Sequence, residues 1–426
     1  MRMSLRWKRD FFTIWTGQQL SLVGSRAAQF ALVWWLTTTT GSATVLATAT
    51  MVAMLPQILL GPFAGAYVDR WNRRYVMMVA DSFIALVALW LAFMFWTGAI
   101  DVWHLYVALL ARSLGEAFHW PAMAASTTLM VPERHLARIG GLNQSVHGVL
   151  NVVGAPLGAL LLAALPLHGV MFVDVATAAF AVLPLVFIAV PQPEREEAHL
   201  KPTVWRDVRE GLAYLRGWRG MIILLGGIMV LKIAMTPAFS LMPLLVRNHF
   251  GRGATDLALL EALAGIGIIV GGLILTAWGG FRRKIHTVLM SLIGVGATLI
   301  GFGVTPGSLF WAVLGVGALL GFAIPFADGS LIAILQSSVA PGVQGRVFGL
   351  LGSLSSLTSP IGLAMAGPIT DLLGIQIWYL VAGVICLAQG VAFFFIPSVV
   401  RIEERGQIDD VGPADGSARG VAPPIT

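Results

Sequence analysis

The sequence predicts an all-α, polytopic membrane protein, a bundle of about twelve hydrophobic helices. Three observations predict it. The 426-residue chain is 57% hydrophobic and only 11% charged, against roughly 25% charged in soluble domains. Apolar runs of about 20 residues, enough to cross a bilayer, recur along its length. The basic residues concentrate in alternate gaps between those runs. A soluble globule of this composition would expose large apolar patches and aggregate, whereas lipid accepts apolar side chains on the outside of a bundle. Glycine, at 48 residues, suits helices that approach closely in lipid.

The apolar runs fall at 11–37, 44–66, 74–97, 103–130, 140–165 and 167–191, then at 220–247, 255–279, 285–304, 308–338, 345–372 and 374–397. They are too long and too uniformly apolar for barrel strands, which alternate apolar with polar. The basic start Arg2, Arg6, Lys8, Arg9 leads into a run too long for a cleavable signal core, so it reads as a retained first span. With that start inside, 22 of the 27 Lys and Arg residues lie in segments on the same side. The opposite loops hold only Arg247 and Arg252, while Arg26, Arg112 and Lys232 fall inside spans. This asymmetry places both termini in the cytoplasm of a cell whose plasma membrane the chain crosses many times, a bacterial inner membrane. It also explains the net charge of +6 through anionic lipid headgroups, with no nucleic acid required. The single cysteine, Cys386, excludes an internal disulfide framework.

The longest polar interruption divides the chain into a six-helix half (1–191), a cytoplasmic linker (192–219), a second six-helix half (220–399) and a disordered cytoplasmic tail (400–426). In the linker, Val204, Trp205, Val208, Leu212 and Leu215 recur at helical spacing among arginines. That is the pattern of an amphipathic helix lying on the membrane surface, an unstructured linker being the alternative. The halves echo each other. Phe118-His-Trp-Pro121 recurs as Phe322-Ala-Ile-Pro325, and Pro156-Leu-Gly158 as Pro360-Ile-Gly362, both at an offset of 204 residues. Parallel repeats of this kind place a substrate site near the midplane between halves that rock.

At the end of the second span stands Gly65-Ala-Tyr-Val-Asp69-Arg70-Trp-Asn72-Arg73-Arg74. This loop resembles the signature Gly-x-x-x-Asp-Arg/Lys-x-Gly-Arg-Arg/Lys of the major facilitator superfamily. Gly65, Asp69, Arg70, Arg73 and Arg74 match, while Asn72 replaces the usual glycine and is expected to accept its left-handed backbone. The resemblance implies a gate in which Asp69 and Arg73 latch the halves on the cytoplasmic side. Asp69 can also face the positive N-terminal end of a helix beginning near Arg346. Further stretches are similar to macrolide-efflux drug:proton antiporters of that superfamily: Trp15-x-Gly17-Gln18, Ser21 to Gln29, Thr40-Gly41-Ser42-Ala43, Asp81, Arg112 to Pro121, Val131-Pro132-Glu133, Glu261 and Gly345-Arg346-Val347-Phe348. The similarity runs from about residue 7 to 397, and siderophore exporters share much of it. Gly148…Gly154-Ala-Pro156-Leu-Gly158 resembles the family's antiporter motif. Proline kinks a helix and glycine permits close packing, so Gly154, Pro156, Gly158, Pro360 and Gly362 are expected at packing seams or hinges.

A charge at mid-bilayer costs roughly 2.5–3.5 kcal/mol, so each ionisable residue in a span needs water or a partner. Arg112, Glu116 and His119 share one helix face. Glu116 and Arg26 lie at matching depths, about 20 and 18 Å from the outer end of their spans. An Arg26–Glu116 or Arg112–Glu116 pair is therefore expected, serving proton coupling or static packing. Gln29, Lys232, Glu261 and Asp328 complete the candidate substrate and proton-coupling set, with Asp328 expected to pair with Lys232 or take a proton. Asp81 and Asp174 are assigned structural roles, and His119 and His147 polar packing. No metal-ligand cluster and no phosphate-binding Gly-x(4)-Gly-Lys-Ser/Thr loop occurs. The chain therefore reads as a non-enzymatic transporter without cofactors, monomeric and driven by the proton gradient. Its expected partners are a small organic substrate, protons and the bilayer. The leading expectation is export of amphipathic drugs. The alternatives are a siderophore or metabolite exporter, and a transporter-like sensor or lipid-handling protein.

Overall fold

The computed structural model of the chain describes residues 2–68, 70–192, 218–339 and 344–403. Asp69, the amphipathic stretch 203–216 and most of the expected tail lie outside the described residues. Regular structure among the described residues is entirely helical. The first six long helices are α1 (Arg2–Thr40), α2 (Ala43–Val68), α3 (Arg73–Thr97), α4 (Val102–Met130), α5 (Glu133–Ala164) and α6 (Leu167–Phe187). Six more follow: α7 (Arg219–Ser240), α8 (Ala254–Trp278), α9 (Lys284–Val304), α10 (Phe310–Ser338), α11 (Gln344–Leu373) and α12 (Ile375–Phe394). Helices α1 and α5 begin several residues before their apolar runs, because a helix can extend into headgroup depth once its buried turns are formed. After α7, residues 242–249 form a short α-helical turn and a π-turn, where the apolar run had suggested one continuous span.

Ten of these helices are long and apolar enough to cross a membrane. The remaining two, α1 and α4, are long but more polar. Each terminus follows from local chemistry. Gly98 closes α3 in the left-handed conformation at φ 71°, which side chains with a Cβ rarely adopt. Asn72 opens α3 as an N-cap whose side chain accepts from the Arg74 amide at 3.1 Å. Its φ is −69°, so it does not supply the left-handed turn expected of it; its capping carbonyl is what the position uses.

The packing repeats with a shift of six helices. Helix α1 lies against α5 and α6, α3 against α4 and α6, and α2 against α4. Likewise α7 lies against α11 and α12, α9 against α10 and α12, and α8 against α10. Across the middle, α2 meets α11 and α5 meets α8. The repeated glycines occupy equivalent seams. A Cβ on Gly158 of α5 would lie 2.8 Å from the Phe30 Cβ of α1, and one on Gly362 of α11 would lie 2.9 Å from the Ile233 Cα of α7. Each half also caps its third helix with a residue that follows its sixth. The Arg73 amide at the start of α3 donates to Gln192 at 3.2 Å, and the Ile285 amide in α9 donates to Glu403 at 2.8 Å.

The two halves are clasped at the end of the bundle that the charge pattern assigns outward. Asp371, in the last turn of α11, accepts from the Ser42 hydroxyl (2.9 Å) and from the backbone amides of Ala43 (2.7 Å) and Thr44 (3.0 Å). Those amides are unpaired donors of the α2 N-terminus, where a carboxylate also meets the positive end of the helix dipole. Gly367, one turn earlier, lets the α11 backbone close on Thr44, to which an added Cβ would come within 2.7 Å. Arg247 donates to the Thr37 carbonyl, and the Thr50 and Ser240 hydroxyls meet at 2.6 Å.

Two outcomes are expected. Gly362→Ala should lower thermal stability in detergent by about 1–3 kcal/mol through overpacking. Gly352→Ala, on the same helix with open space around it, should leave stability unchanged or raise it. In Asp371→Ala, a cysteine introduced at Ser240 should react about tenfold faster with a membrane-impermeant maleimide. That corresponds to losing about 1.5 kcal/mol, the contribution of one hydrogen bond to a charged group.

Candidate functional site

Helices α1 and α4 owe their lower hydropathy to polar side chains that meet inside the first half. Arg112 of α4 donates through Nη1 to Asp174 Oδ2 of α6 at 2.6 Å, with the two side chains only 8% and 2% exposed. The Ser25 hydroxyl of α1 donates to the other oxygen of Asp174 at 2.8 Å. A buried arginine needs such a partner, because an isolated charge in the interior costs far more than the pair. Two turns along α4, His119 Nε2 lies 3.2 Å from Asp81 Oδ1 of α3. Gln18 of α1 donates its amide to Asp81 Oδ2 at 2.7 Å. Thus α1, α3, α4 and α6 are joined by two polar knots.

Glu116 belongs to neither knot. It is exposed and accepts from Gln57 Nε2 of α2 at 3.0 Å. The expected Arg112–Glu116 and Arg26–Glu116 pairs are therefore not formed. Shared depth and shared face left several acceptors for Arg112, and only the packing of α6 selects Asp174. Asp81 and Asp174, read as structural from their positions near span ends, each hold a buried partner deep in the helix packing. His119, expected to be a polar packing residue, meets Asp81 as its polar neighbour.

Arg26 and Gln29 are exposed on α1, with the Arg26 Cβ facing Gly154 of α5. In the second half, Lys232 of α7 and Asp328 of α10 are both exposed and near enough for Lys232 to act on the Asp328 charge, without a direct ion pair. Glu261 of α8 is half-buried. Among the described residues no group of three His, Cys, Asp or Glu could hold a metal ion.

The signature loop is partly visible. A Cβ at Gly65 would meet open space, and Arg70 is exposed. Arg73 is buried and donates through Nη1 to the Ala125 carbonyl of α4 at 3.2 Å. Arg74 donates to the Leu185 and Val186 carbonyls at 2.5 and 2.6 Å. Those are last-turn carbonyls of α6 without helical partners, so a cation there offsets the negative end of the helix. The two arginines thereby pin the start of α3 to its neighbours. Pro156 and Pro360 sit inside α5 and α11.

Sequence reasoning missed Gln57, the roles of Asp81 and Asp174, and Asp371. One signal for Asp371 was available. An acidic residue in the last turn of a helix is unfavourable against the dipole, so its presence calls for a partner elsewhere.

Comparison with known proteins places this geometry in a family. The family model described as Major Facilitator Superfamily matches residues 14–362 and 224–417. Macrolide efflux protein A of Streptococcus pyogenes is 34% identical over 385 residues, 90% of this chain and 95% of that protein. Macrolide efflux protein A of Enterococcus faecalis is 32% identical over 76% of this chain and the whole of the relative. The multidrug efflux pump Tap of Mycobacterium tuberculosis is 25% identical over 89% of this chain and 90% of its own length. Among solved structures, a bacterial homologue of the lysosomal transporter Spinster aligns with a TM-score of 0.66 at 15% identity, covering 95% of this chain and 98% of that one. A bacterial homologue of the iron transporter ferroportin aligns with a TM-score of 0.66 at 16% identity, covering 93% and 98%. The chain is a multi-pass membrane transporter and not an enzyme, and it belongs to the major facilitator superfamily.

Proposed function

We propose that this chain exports amphipathic organic compounds, macrolide-like drugs among them, in exchange for protons across a bacterial inner membrane. It works as a monomer with α1 and α4 also spanning the bilayer, both termini in the cytoplasm, and no cofactor. The observation that carries the reading is a set of four exposed charges at helix-interior positions. Each half presents one cation on its first helix, Arg26 or Lys232, and one carboxylate on its fourth, Glu116 or Asp328. Lipid would penalise each by roughly 2.5–3.5 kcal/mol, so they belong beside water, in a space between the halves. Among the described residues, the hydrogen bonds between the halves gather at the outer end. Alternating access then requires the clasp at Asp371 to break when substrate leaves outward.

The names of the relatives support the substrate class, since macrolide and multidrug efflux are what those proteins are named for. Glu116 suits an amine-bearing compound: it is anionic, exposed, and held by a neutral amide that leaves its charge uncompensated. The pair Gln57 and Glu116, with Gln29 on the facing helix, offers both hydrogen bonds and charge to an otherwise apolar molecule.

Expression in a pump-deficient bacterial host should raise resistance to erythromycin, and Asp69→Asn should abolish the gain; unchanged susceptibility across a broad panel would count against drug export. Glu116→Gln should reduce export of erythromycin, which carries an amine, by about tenfold, the effect of one lost charge contact of about 1.4 kcal/mol. Export of a neutral compound by the same variant should fall by less than about threefold.

A further inference from the structure

Buried charge in the first half does not cancel. Arg112 and Asp174 neutralise each other at 2.6 Å. Among the described residues no arginine or lysine contacts Asp81: its two oxygens face the Gln18 amide at 2.7 Å and the His119 ring at 3.2 Å. An ionised carboxylate packed this deeply requires a cation or a proton nearby. The candidate in contact among the described residues is His119. From this geometry we infer that Asp81 and His119 form a one-proton site, which carries the proton exchanged for substrate. The inference rests on the proton-coupled reading above and assigns the coupling site within it.

The hydrogen bonds specify where the proton goes. Gln18 donates through its amide nitrogen to Asp81 Oδ2, which leaves Oδ1 to face the ring. The exchangeable proton therefore belongs on the His119 side. In the loaded state the ring is an imidazolium in ion-pair contact with Asp81 Oδ1 through Nε2, and the pair is neutral overall. In the unloaded state the ring is neutral and the pair carries a net charge of minus one. No covalent bond changes; one proton enters or leaves the ring.

On α4 itself, Glu116 lies one turn before His119 and acts on it electrostatically. The Arg112–Asp174 pair, between α4 and α6, is internally neutral. From α1 comes Gln18, which does not titrate. From α5, His147 packs on Trp120 with ring centres 5.8 Å apart, beside His119 in sequence. The charges that act on the ring are therefore the carboxylates of Asp81 and Glu116, while the buried Arg73 stands farther along α3, on the Ala125 carbonyl of α4. Glu116 is exposed while His119 is largely buried, so Glu116 stands between the water-facing surface and the site. A cationic substrate arriving at Glu116 supplies the same positive charge and favours departure of the proton. Substrate at Glu116 and proton at His119 thus oppose each other through the field between neighbouring sites, which is the requirement for exchange.

Transport into everted vesicles and a drug-free titration test the site together. A lumen-acid pH gradient should drive erythromycin uptake by the unaltered protein, and uptake should fall about tenfold or more in Asp81→Asn and in His119→Gln, a typical coupling between linked sites. Asp81→Glu should retain part of the driven uptake, which a purely structural carboxylate would not require. Gradient-driven uptake that persists in both variants would overturn the site while leaving proton coupling intact. Uptake by the unaltered protein that ignores the gradient would overturn both. Nitrogen NMR of labelled histidines needs no drug and no folded variant of Asp81. The ring signal of His119 should pass between imidazole and imidazolium as the sample is acidified, and a ring that keeps one state throughout the titration would sink the assignment.

Discussion

The cost of burying charge in an apolar bundle governs this molecule. Arg112 is a permanent cation in a helix packed on three sides, and Asp174 with Ser25 is what makes its burial tolerable. Removing either partner of such a pair leaves an uncompensated charge, a penalty of roughly 3–5 kcal/mol. Because the partners come from α4, α6 and α1, satisfying one charge fixes the relative placement of three helices. Asp81 extends the constraint to α3 by way of Gln18 and His119. The first half is therefore held by polar knots as well as by apolar packing. In lipid this matters more than in water, since apolar contacts alone give little preference for one helix neighbour over another.

The second half keeps the architecture and relaxes the charge. The seams at Gly158 and Gly362 are equivalent, as are the caps at Gln192 and Glu403. Yet α7 to α12 show no buried ion pair among their described residues. Its polar anchors are neutral: Trp378 donates to the Ala234 carbonyl at 3.0 Å, and Tyr379 donates to Ala238 at 2.6 Å. One half is thus rigidified by buried ionic contacts, and the other mainly by neutral ones, with Glu403 capping α9 as a carboxylate.

Much of the fold was legible because lipid imposes simple rules. Span length, the positive-inside bias and the offset of 204 residues are one-dimensional patterns, and they survive in any sequence that obeys them. The candidate site was legible in its residue types and not in its pairings. Arg112, Glu116 and His119 stand on one face of α4, but which acceptor each meets depends on how α3, α6 and α2 are rotated against that face. Rotation is set by side-chain packing over the whole bundle, and periodicity does not encode it. Asn72 shows the same limit on a smaller scale: an asparagine can serve a left-handed turn or an N-cap, and only the observed φ of −69° decides.

The helix pair α2 and α11 joins these themes. Asp371 holds the outer end of the pair by filling the amide donors of α2. Asp69 follows the last residue of α2 at the opposite end, close in sequence to the signature arginines. The gate that the family resemblance implies at Asp69 would be the counterpart of the Asp371 clasp at the other end of the seam. A stiff helix pair closed at both ends would trap its contents, and one closed at neither would leak protons. The proposed exchange requires that the clasps alternate, so their energies must be comparable and individually modest. Three hydrogen bonds at the edge of the bundle, partly open to water, meet that requirement better than a fully buried ion pair such as Arg112–Asp174 could. In the proposed exchange the buried pair belongs to the part of the molecule that moves as a unit, and the exposed clasp to the part that must come apart.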